Sequence, residues 1–500
     1  MAETHAFDVV FIGGGPAGYV GAIRAGQLGL KVACIERGQL GGVCNTWGCI
    51  PTKALLAAAE FYSKLKHQAK DFGIEADNIR HDFAKVIARS RQVASLGDKG
   101  IAGLFKKNNV AHFSGHAKII AAPSDKAPGK IEVHKVTAGG ESSWDIAANA
   151  AASKSNQLEH TITARHIILA TGAIARQLPG AEFDSDKIIG SKDAMNLKEQ
   201  PKELVIVGAG AIGMEFAYFY NAFGTKVTVI EMMDRLLPIE DHDVSKAIEK
   251  AFRKQKIDFL TAHKTTNIKK TDGGVEVTVA PVSPGADEKK TQTIKADKVL
   301  IAIGVRGRYD GLFDPKQIPL EIFKDHIKVD RKNYQTNLKG IYAVGDVNGP
   351  PWLAHVASEE AVVCVEQIAG HHPTPIDYDS IPGCTYCHPQ VASIGFTEQA
   401  CKDKGIAYKA GTFPLLASGK ARALGETEGF IKVITGERYG EILGCHMIGE
   451  NVTELIAEIG LARRLEATAE EIIATIHAHP TLSEAVHEAT LGTQGRMLHY

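Results

Sequence analysis

A chain of 500 residues is too long for a single hydrophobic core, so several domains are expected. Its hydrophobic fraction of 44% and charged fraction of 23% are ordinary for a globular protein, and a formal net charge of −1 gives no reason to expect nucleic acid or a membrane surface as partner. No run is apolar enough to span a bilayer and only a short polar lead precedes the first apolar strand, so the expected location is the cytoplasm; eight cysteines are too few for a secreted disulfide scaffold.

Residues 7–12 (FDVVFI) read as an apolar strand broken only by Asp8, residues 16–28 as a helix of small residues, and 31–35 as a second strand. At the strand-to-helix turn, Gly13, Gly15 and Gly18 form G-x-G-x-x-G. The first permits the tight turn, the second lets a pyrophosphate approach, and the third lets helix and strand come close. Phosphate charge would then meet the helix N-terminus. Glu36 closes the second strand, where a carboxylate can bind the ribose hydroxyls of an adenosine. Strand, glycines, helix, strand and acid occur in that order, which carries the dinucleotide reading where glycines alone would not.

Directly afterwards comes GGVCNTWGCIPTKALL, with Cys44 and Cys49 five apart and Pro51 at the start of a helical run. Thiols near a helix N-terminus feel partial positive charge, which favours the nucleophilic thiolate. Lys53 follows Cys49 by one helical turn. The spacing alone says little; the position beside a dinucleotide fold, with Gly41, Gly42, Pro51 and Lys53 around it, marks the pair as reactive. Cys34, Cys364, Cys401 and Cys445 sit singly in apolar or helical contexts and are expected to be buried thiols.

Residues 82–107 have the pattern of a long amphipathic helix, and 121–158 read as a β-excursion with a long flexible loop. The dinucleotide pattern then recurs in residues 203–231, with Gly208, Gly210 and Gly213 at the same spacing and Glu231 at the same separation from the first glycine as Glu36 from Gly13. An acid there accepts from a free 2′-hydroxyl and repels a 2′-phosphate, which favours NAD over NADP, although Lys226 and Arg235 are close in sequence.

From Pro375 onward strands and helices mix without another glycine fingerprint, as in a separate domain with an assembly role. Cys384 and Cys387 form C-x-x-C beside His388; such a pair could bind zinc or act as a second redox couple, but no second cysteine pair completes four ligands, so structural thiols are favoured and no metal site is expected. The segment IHAHPTLSEA brings His477, His479 and Glu484 together, and histidine titrates in the range that suits a base for thiol chemistry.

The motif GGVCNTWGCIPTKALL resembles the redox-disulfide motif of the pyridine nucleotide–disulfide oxidoreductases, and the likeness runs from Phe7 nearly to the C-terminus. It includes Ala170, Thr171 and Gly172, then Gly345 and Asp346 in IYAVGDVNGPPWLAHVASEEA, and HAHPTLSEA. This resemblance implies an α/β chain with two Rossmann-like domains, for FAD and NAD, and a C-terminal α+β dimerisation domain. The implied boundaries are 1–172 for the first FAD segment, 173–305 for NAD, 306–373 for the second FAD segment and 374–500 for the interface. Cys44 would be the interchange thiol and Cys49 the charge-transfer thiol against the flavin, with Lys53 near the flavin and paired to Glu215. FAD would be held by Gly13, Gly15, Gly18, Glu36, Lys53, Thr171, Gly172, Gly345 and Asp346, the last on the ribityl chain. Gly208, Gly210, Gly213, Glu215, Glu231 and Gly304 would serve NAD. His479, directly before proline, would be the base, oriented by Glu484 and supplied across a homodimer interface, with His477 packing structurally. The implied activity is oxidation of protein-bound dihydrolipoamide to lipoamide with reduction of NAD, on lipoyl domains of a 2-oxoacid dehydrogenase or glycine cleavage complex. The alternatives are a glutathione-reductase-like disulfide reductase, whose NADP preference Glu231 disfavours, and a flavoprotein scaffold with incidental diaphorase activity.

Overall fold

The computed structural model describes residues 3–136, 157–283, 285, 287 and 289–500. Most of the loop expected within 121–158 lies outside these. The chain divides into two compact units: Met1–Ala54, Ile87–Arg176 and Gly304–Ile376 form the first; Leu55–Val86, Gln177–Ile303 and Asp377–Tyr500 form the second.

The first unit is built on one sheet. Strands Ala111–Ser114, Val32–Glu36, Glu3–Ile12 and Leu158–Leu169 run parallel in that order. Gly129–His134 and His116–Ala121 extend the sheet antiparallel, so the β-excursion expected from residue 121 belongs to this sheet. Strand Leu158–Leu169 is used twice. Its first half pairs with Gly129–His134, and its last three residues pair in parallel with Ile341–Ala343. Successive residues of the central strands enter opposite cores: Val9, Phe11, Cys34 and Ile168 on one face, Val10, Ile12, Ile35 and Leu169 on the other. This is the period-two alternation of a strand covered on both sides. The first strand starts at Glu3, earlier than its apolar run suggests, because Glu3–Phe7 find a ladder on His160–Ala164 despite their polarity.

The second unit holds a parallel sheet in the order Asp258–Leu260, Lys226–Ile230, Glu203–Val207, Lys298–Ile301, Ile188–Ile189, with an antiparallel meander of His263–Thr271, Gly274–Pro281 and Gln292–Ala296. It also holds a five-stranded antiparallel sheet: Gly383–Thr385, Gln390–Gly395, Ile442–Gly449, Phe430–Gly436 and Tyr408–Pro414. Helix Glu484–Thr493 settles onto the last of these strands. A Cβ on Gly411 would lie 2.1 Å from the Ala489 carbonyl, so only glycine lets helix and strand approach this closely. Among the described residues, no helix is long and apolar enough to cross a membrane.

Candidate active site

The two glycine fingerprints have the same local geometry. Gly13 has φ +106°, and a Cβ there would meet the Ala170 carbonyl at 2.3 Å; Gly208 has φ +107° and would meet the Ala302 carbonyl at 2.3 Å. A Cβ on Gly18 or Gly213 would strike the carbonyl of the first glycine at 1.8 or 2.0 Å. The middle glycines differ in kind. A Cβ on Gly210 meets nothing within 4 Å, and one on Gly15 meets only the Gly42 Cα at 3.9 Å. Two glycines in each motif are therefore demanded by the fold itself, and the middle one keeps open space before a helix start. Helices Pro16–Gln27 and Ala211–Ala222 have no side-chain cap, so their first N–H groups remain available to a phosphate.

Glu36 and Glu231 do more than close their strands. Glu36 Oε2 accepts from the Gly14 N–H at 2.6 Å and Oε1 from Gly38 at 2.7 Å. Glu231 accepts in the same way from Ala209 at 2.7 Å and Met233 at 2.8 Å. Each carboxylate thus ties the glycine turn to the following loop, and its remaining lone pairs can take ribose hydroxyls. Glu215 is buried in Ala211–Ala222 and accepts from the Tyr386 N–H at 3.0 Å. Gly304 has φ +97° with nothing near its Cβ position.

At the far end of the first unit's sheet edge, Thr171 donates its hydroxyl to the Arg308 carbonyl, and the Arg308 N–H donates to Gly172. Gly345 has φ +72° and opens a short turn that carries Asp346. Burial, with the neighbouring Glu360 adding to it, pushes the Asp346 carboxyl up to about 6. Glu360 is 1% exposed and accepts from the Gly345 N–H at 2.7 Å, Asn348 Nδ2 at 2.8 Å and Arg331 Nη1 at 2.8 Å. It holds the turn that carries Asp346, a role that sequence reasoning missed. The available signal was an acid on the apolar face of Ala354–Ile368, between Val356 and Cys364.

Cys44 lies in the short helix Gly42–Trp47, and Cys49 opens helix Cys49–His67; the two form a disulfide with Cα atoms 4.6 Å apart. Six other cysteines are free thiols. Burial pushes Cys34, Cys364 and Cys445 up, which keeps them protonated and inert. The disulfide loop is braced by the long helix Phe83–Lys107. Arg91 donates to the Thr46 carbonyl at 2.7 Å and stacks its guanidinium 4.7 Å over Trp47, while Asp98 accepts from the Leu40 N–H at 2.8 Å. Thr46 and Thr52 each turn their hydroxyls back to a carbonyl one turn earlier. Lys53 is half-buried on the second turn of helix Cys49–His67. Cys384 lies in strand Gly383–Thr385, and Cys387 is buried with its Sγ 3.4 Å from the Pro389 carbonyl.

The two candidate histidines are held differently. His477 is 7% exposed in its side chain and uses both ring nitrogens, one 2.7 Å from Glu458 Oε1 and the other 3.0 Å from the Thr475 carbonyl. His479 is 79% exposed, and its Nδ1 lies 2.8 Å from Glu484 Oε1. The second Glu484 oxygen accepts from the Thr481 N–H at 2.8 Å. Desolvation opposes ionisation of Glu484, but the Thr481 N–H and the His479 ring outweigh it and hold the carboxyl below its usual range. A carboxylate thus fixes the tautomer with Nδ1 protonated, leaving Nε2 outward as a proton acceptor. Ile476, three residues before it in the chain, is 96% exposed.

Residues 7–361 match the family model described as pyridine nucleotide-disulphide oxidoreductase, and residues 381–490 match that family's dimerisation domain. The chain is 43% identical to the dihydrolipoyl dehydrogenase of Rhizobium etli, with 100% of each chain covered, and 41% identical to that of Zymomonas mobilis, with 99% of each covered. Among solved structures, LpdA from Mycobacterium tuberculosis superposes with a TM-score of 0.85 at 24% identity, over 97% of this chain and 99% of that one. At that identity the likeness is one of fold.

Proposed function

Because the chain belongs to the pyridine nucleotide–disulphide oxidoreductase family, an FAD- and NAD-dependent family, we propose that it is a dihydrolipoyl dehydrogenase acting in the cytoplasm on lipoyl domains of a 2-oxoacid dehydrogenase or glycine cleavage complex. The observation that carries this reading is the Cys44–Cys49 disulfide at the start of helix Cys49–His67, next to a dinucleotide turn. The residues present fit both cofactors: each fingerprint keeps an open glycine before an uncapped helix, and each has a carboxylate fixed beside it. In this reading Gly13, Gly15, Gly18, Glu36, Thr171, Gly172, Gly345, Asp346 and Lys53 hold FAD, and Gly208, Gly210, Gly213, Glu215, Glu231 and Gly304 hold NAD. When bound, FAD and NAD supply the hydride path that returns the reduced cysteine pair to the disulfide.

The protein's own part is thiol–disulfide exchange. His479 Nε2 takes the proton of one substrate thiol, and the resulting thiolate attacks Cys44 Sγ. The Cys44–Cys49 bond breaks, Cys49 leaves as thiolate, and a mixed disulfide forms between substrate and Cys44. The second substrate thiol then displaces Cys44, so lipoamide departs as a cyclic disulfide and two electrons remain on the cysteine pair. The partial positive charge at the start of helix Cys49–His67 stabilises the Cys49 thiolate. Glu484 keeps His479 in the accepting tautomer and offsets the charge of the imidazolium. The base serves the disulfide of a second copy, and the dimerisation-domain match and the exposed ring of His479 support that arrangement.

The deciding assay compares turnover of dihydrolipoamide with NAD against glutathione disulfide with NADPH. Faster turnover of the first pair is expected; faster turnover of the second would replace lipoamide by glutathione as substrate.

A further inference from the structure

Three clusters of potential metal ligands occur among the described residues: Glu3–His5–His160, His388–Glu426–Glu450 and Asp241–Asp243–Glu398. The latter two already hold a cation. Lys64 Nζ lies 3.4 Å from both Glu426 and Glu450 and 2.6 Å from Glu60, and Lys432 Nζ lies within 2.9 Å of all three carboxylates around it. An ammonium at the centre of an acidic cluster repels a second cation. Among the described residues, the first cluster has no such occupant.

We propose that Glu3, His5 and His160 bind one divalent transition-metal ion of the zinc or copper class. The strand register brings them together: Glu3 is directly opposite His160, and His5 is two residues along on the same face. Their ligand atoms all lie within 4.8 Å of one another, and Glu3 Oε2 is 3.7 Å from His5 Nε2. Zinc bonds of about 2.0–2.2 Å in tetrahedral geometry place neighbouring ligand atoms about 3.4 Å apart, so small side-chain rotations complete the set. Among the described residues, His5 Nε2 and His160 Nδ1, both sunk below the surface, have no hydrogen-bond partner, which is costly for an imidazole nitrogen unless something else engages it. Phe113 packs 5.0 Å from the His5 ring and 5.1 Å from the His160 ring and limits how either can turn.

Two imidazoles and one carboxylate select zinc or copper over calcium or magnesium, which prefer all-oxygen sites. Glu3 is 74% exposed and gives an entry path, and water completes the coordination. The site lies at the opposite end of the first strand from Gly13, eight residues or ~26 Å of extended chain from His5. An ion here takes no part in flavin chemistry. It clasps the start of the first strand to Leu158–Leu169 and stabilises the folded state by mass action.

The test uses FAD-loaded protein with the cysteine pair oxidised. Zinc titration should give one saturable phase and a rising melting temperature. Copper(II) added below one equivalent should show imidazole nitrogen couplings by electron paramagnetic resonance. His5→Gln and His160→Gln should each weaken zinc binding by at least about tenfold and erase the nitrogen couplings, with flavin content and NADH–ferricyanide turnover unchanged. Absence of binding by the native protein overturns the proposal. So does equal binding by both variants, which would put the ion elsewhere, for example on Cys384 and Cys387.

Discussion

Replacing Glu484 with Gln keeps volume and shape but changes what the group can accept. Two donors converge on Glu484, the Thr481 N–H at 2.8 Å and His479 Nδ1 at 2.8 Å, and the carboxylate meets each with its own oxygen. An amide has one oxygen, so its NH₂ must face one of the two donors. Thr481 is the fixed backbone donor, which leaves His479 as the bond that is lost. A hydrogen bond to a charged group contributes about 1.5–3 kcal/mol, and the exposure of His479 reduces that to about 1–2 kcal/mol. At 1.36 kcal/mol per factor of ten, dihydrolipoamide oxidation should fall roughly five- to thirtyfold. NADH–ferricyanide turnover bypasses the dithiol and should stay within about twofold of native. Stopped-flow reduction by dihydrolipoamide and steady-state turnover with NADH and ferricyanide make the comparison. An equal fall in both activities would mean that Glu484 supports the fold and not the base; no fall in either would remove His479 from the proton path.

Cys44→Ser should abolish dithiol turnover while flavin reduction by NADH persists; loss of both would reverse the roles of the two cysteines. Gly210→Ala adds a methyl where nothing lies within 4 Å, so the variant should melt like native protein but show a raised KM for NAD. Gly213→Ala drives a Cβ to 2.0 Å from the Gly208 carbonyl and should lose about 1–3 kcal/mol of stability in urea unfolding. Burial pushes the Glu240 carboxyl up from 4.5 to about 7, against a hydrogen bond from Ser393 and with help from Asp241. The folded state therefore holds that proton more tightly than the unfolded one, and the penalty for ionising it grows as pH rises from 4.5 to 7. Glu240→Gln should be more stable than native at pH 8, by up to about 3 kcal/mol, with the difference vanishing toward pH 4.5; a pH-independent difference would count against the buried, strained carboxyl.

Local constraints were legible in the sequence because they fall within short windows. Each fingerprint spells out its backbone: the fold itself demands Gly13 and Gly18, and Glu36 stands at the fixed distance a strand–helix–strand unit imposes. His479 and Glu484 are five residues apart and meet without help from elsewhere. What escaped notice depends on partners outside the local window, from a dozen residues away to more than a hundred. Glu360 is a buried acid only because Gly345, Asn348 and Arg331 arrive to satisfy it. The polar residues Glu3–Ala6 look like a tail and become strand only through the ladder on residues 160–163. Hydrophobic period identifies the face a segment buries, and it is silent about which polar groups from other elements will meet a buried acid or pair with a polar strand.

The double use of strand Leu158–Leu169 has a consequence for how the protein is made. Its last three residues wait for Ile341–Ala343, and the turn carrying Asp346 follows immediately. A nascent chain completes the first glycine fingerprint within roughly its opening twenty residues, yet the wall that faces it arrives more than three hundred residues later. At ~5–20 residues per second, that interval is on the order of tens of seconds. Only from about the middle of that interval, once residues 167–169 have been made, does the edge of Ile167–Leu169 exist, and until Ile341–Ala343 follow it is an apolar strand edge without the strand that pairs with it in the fold.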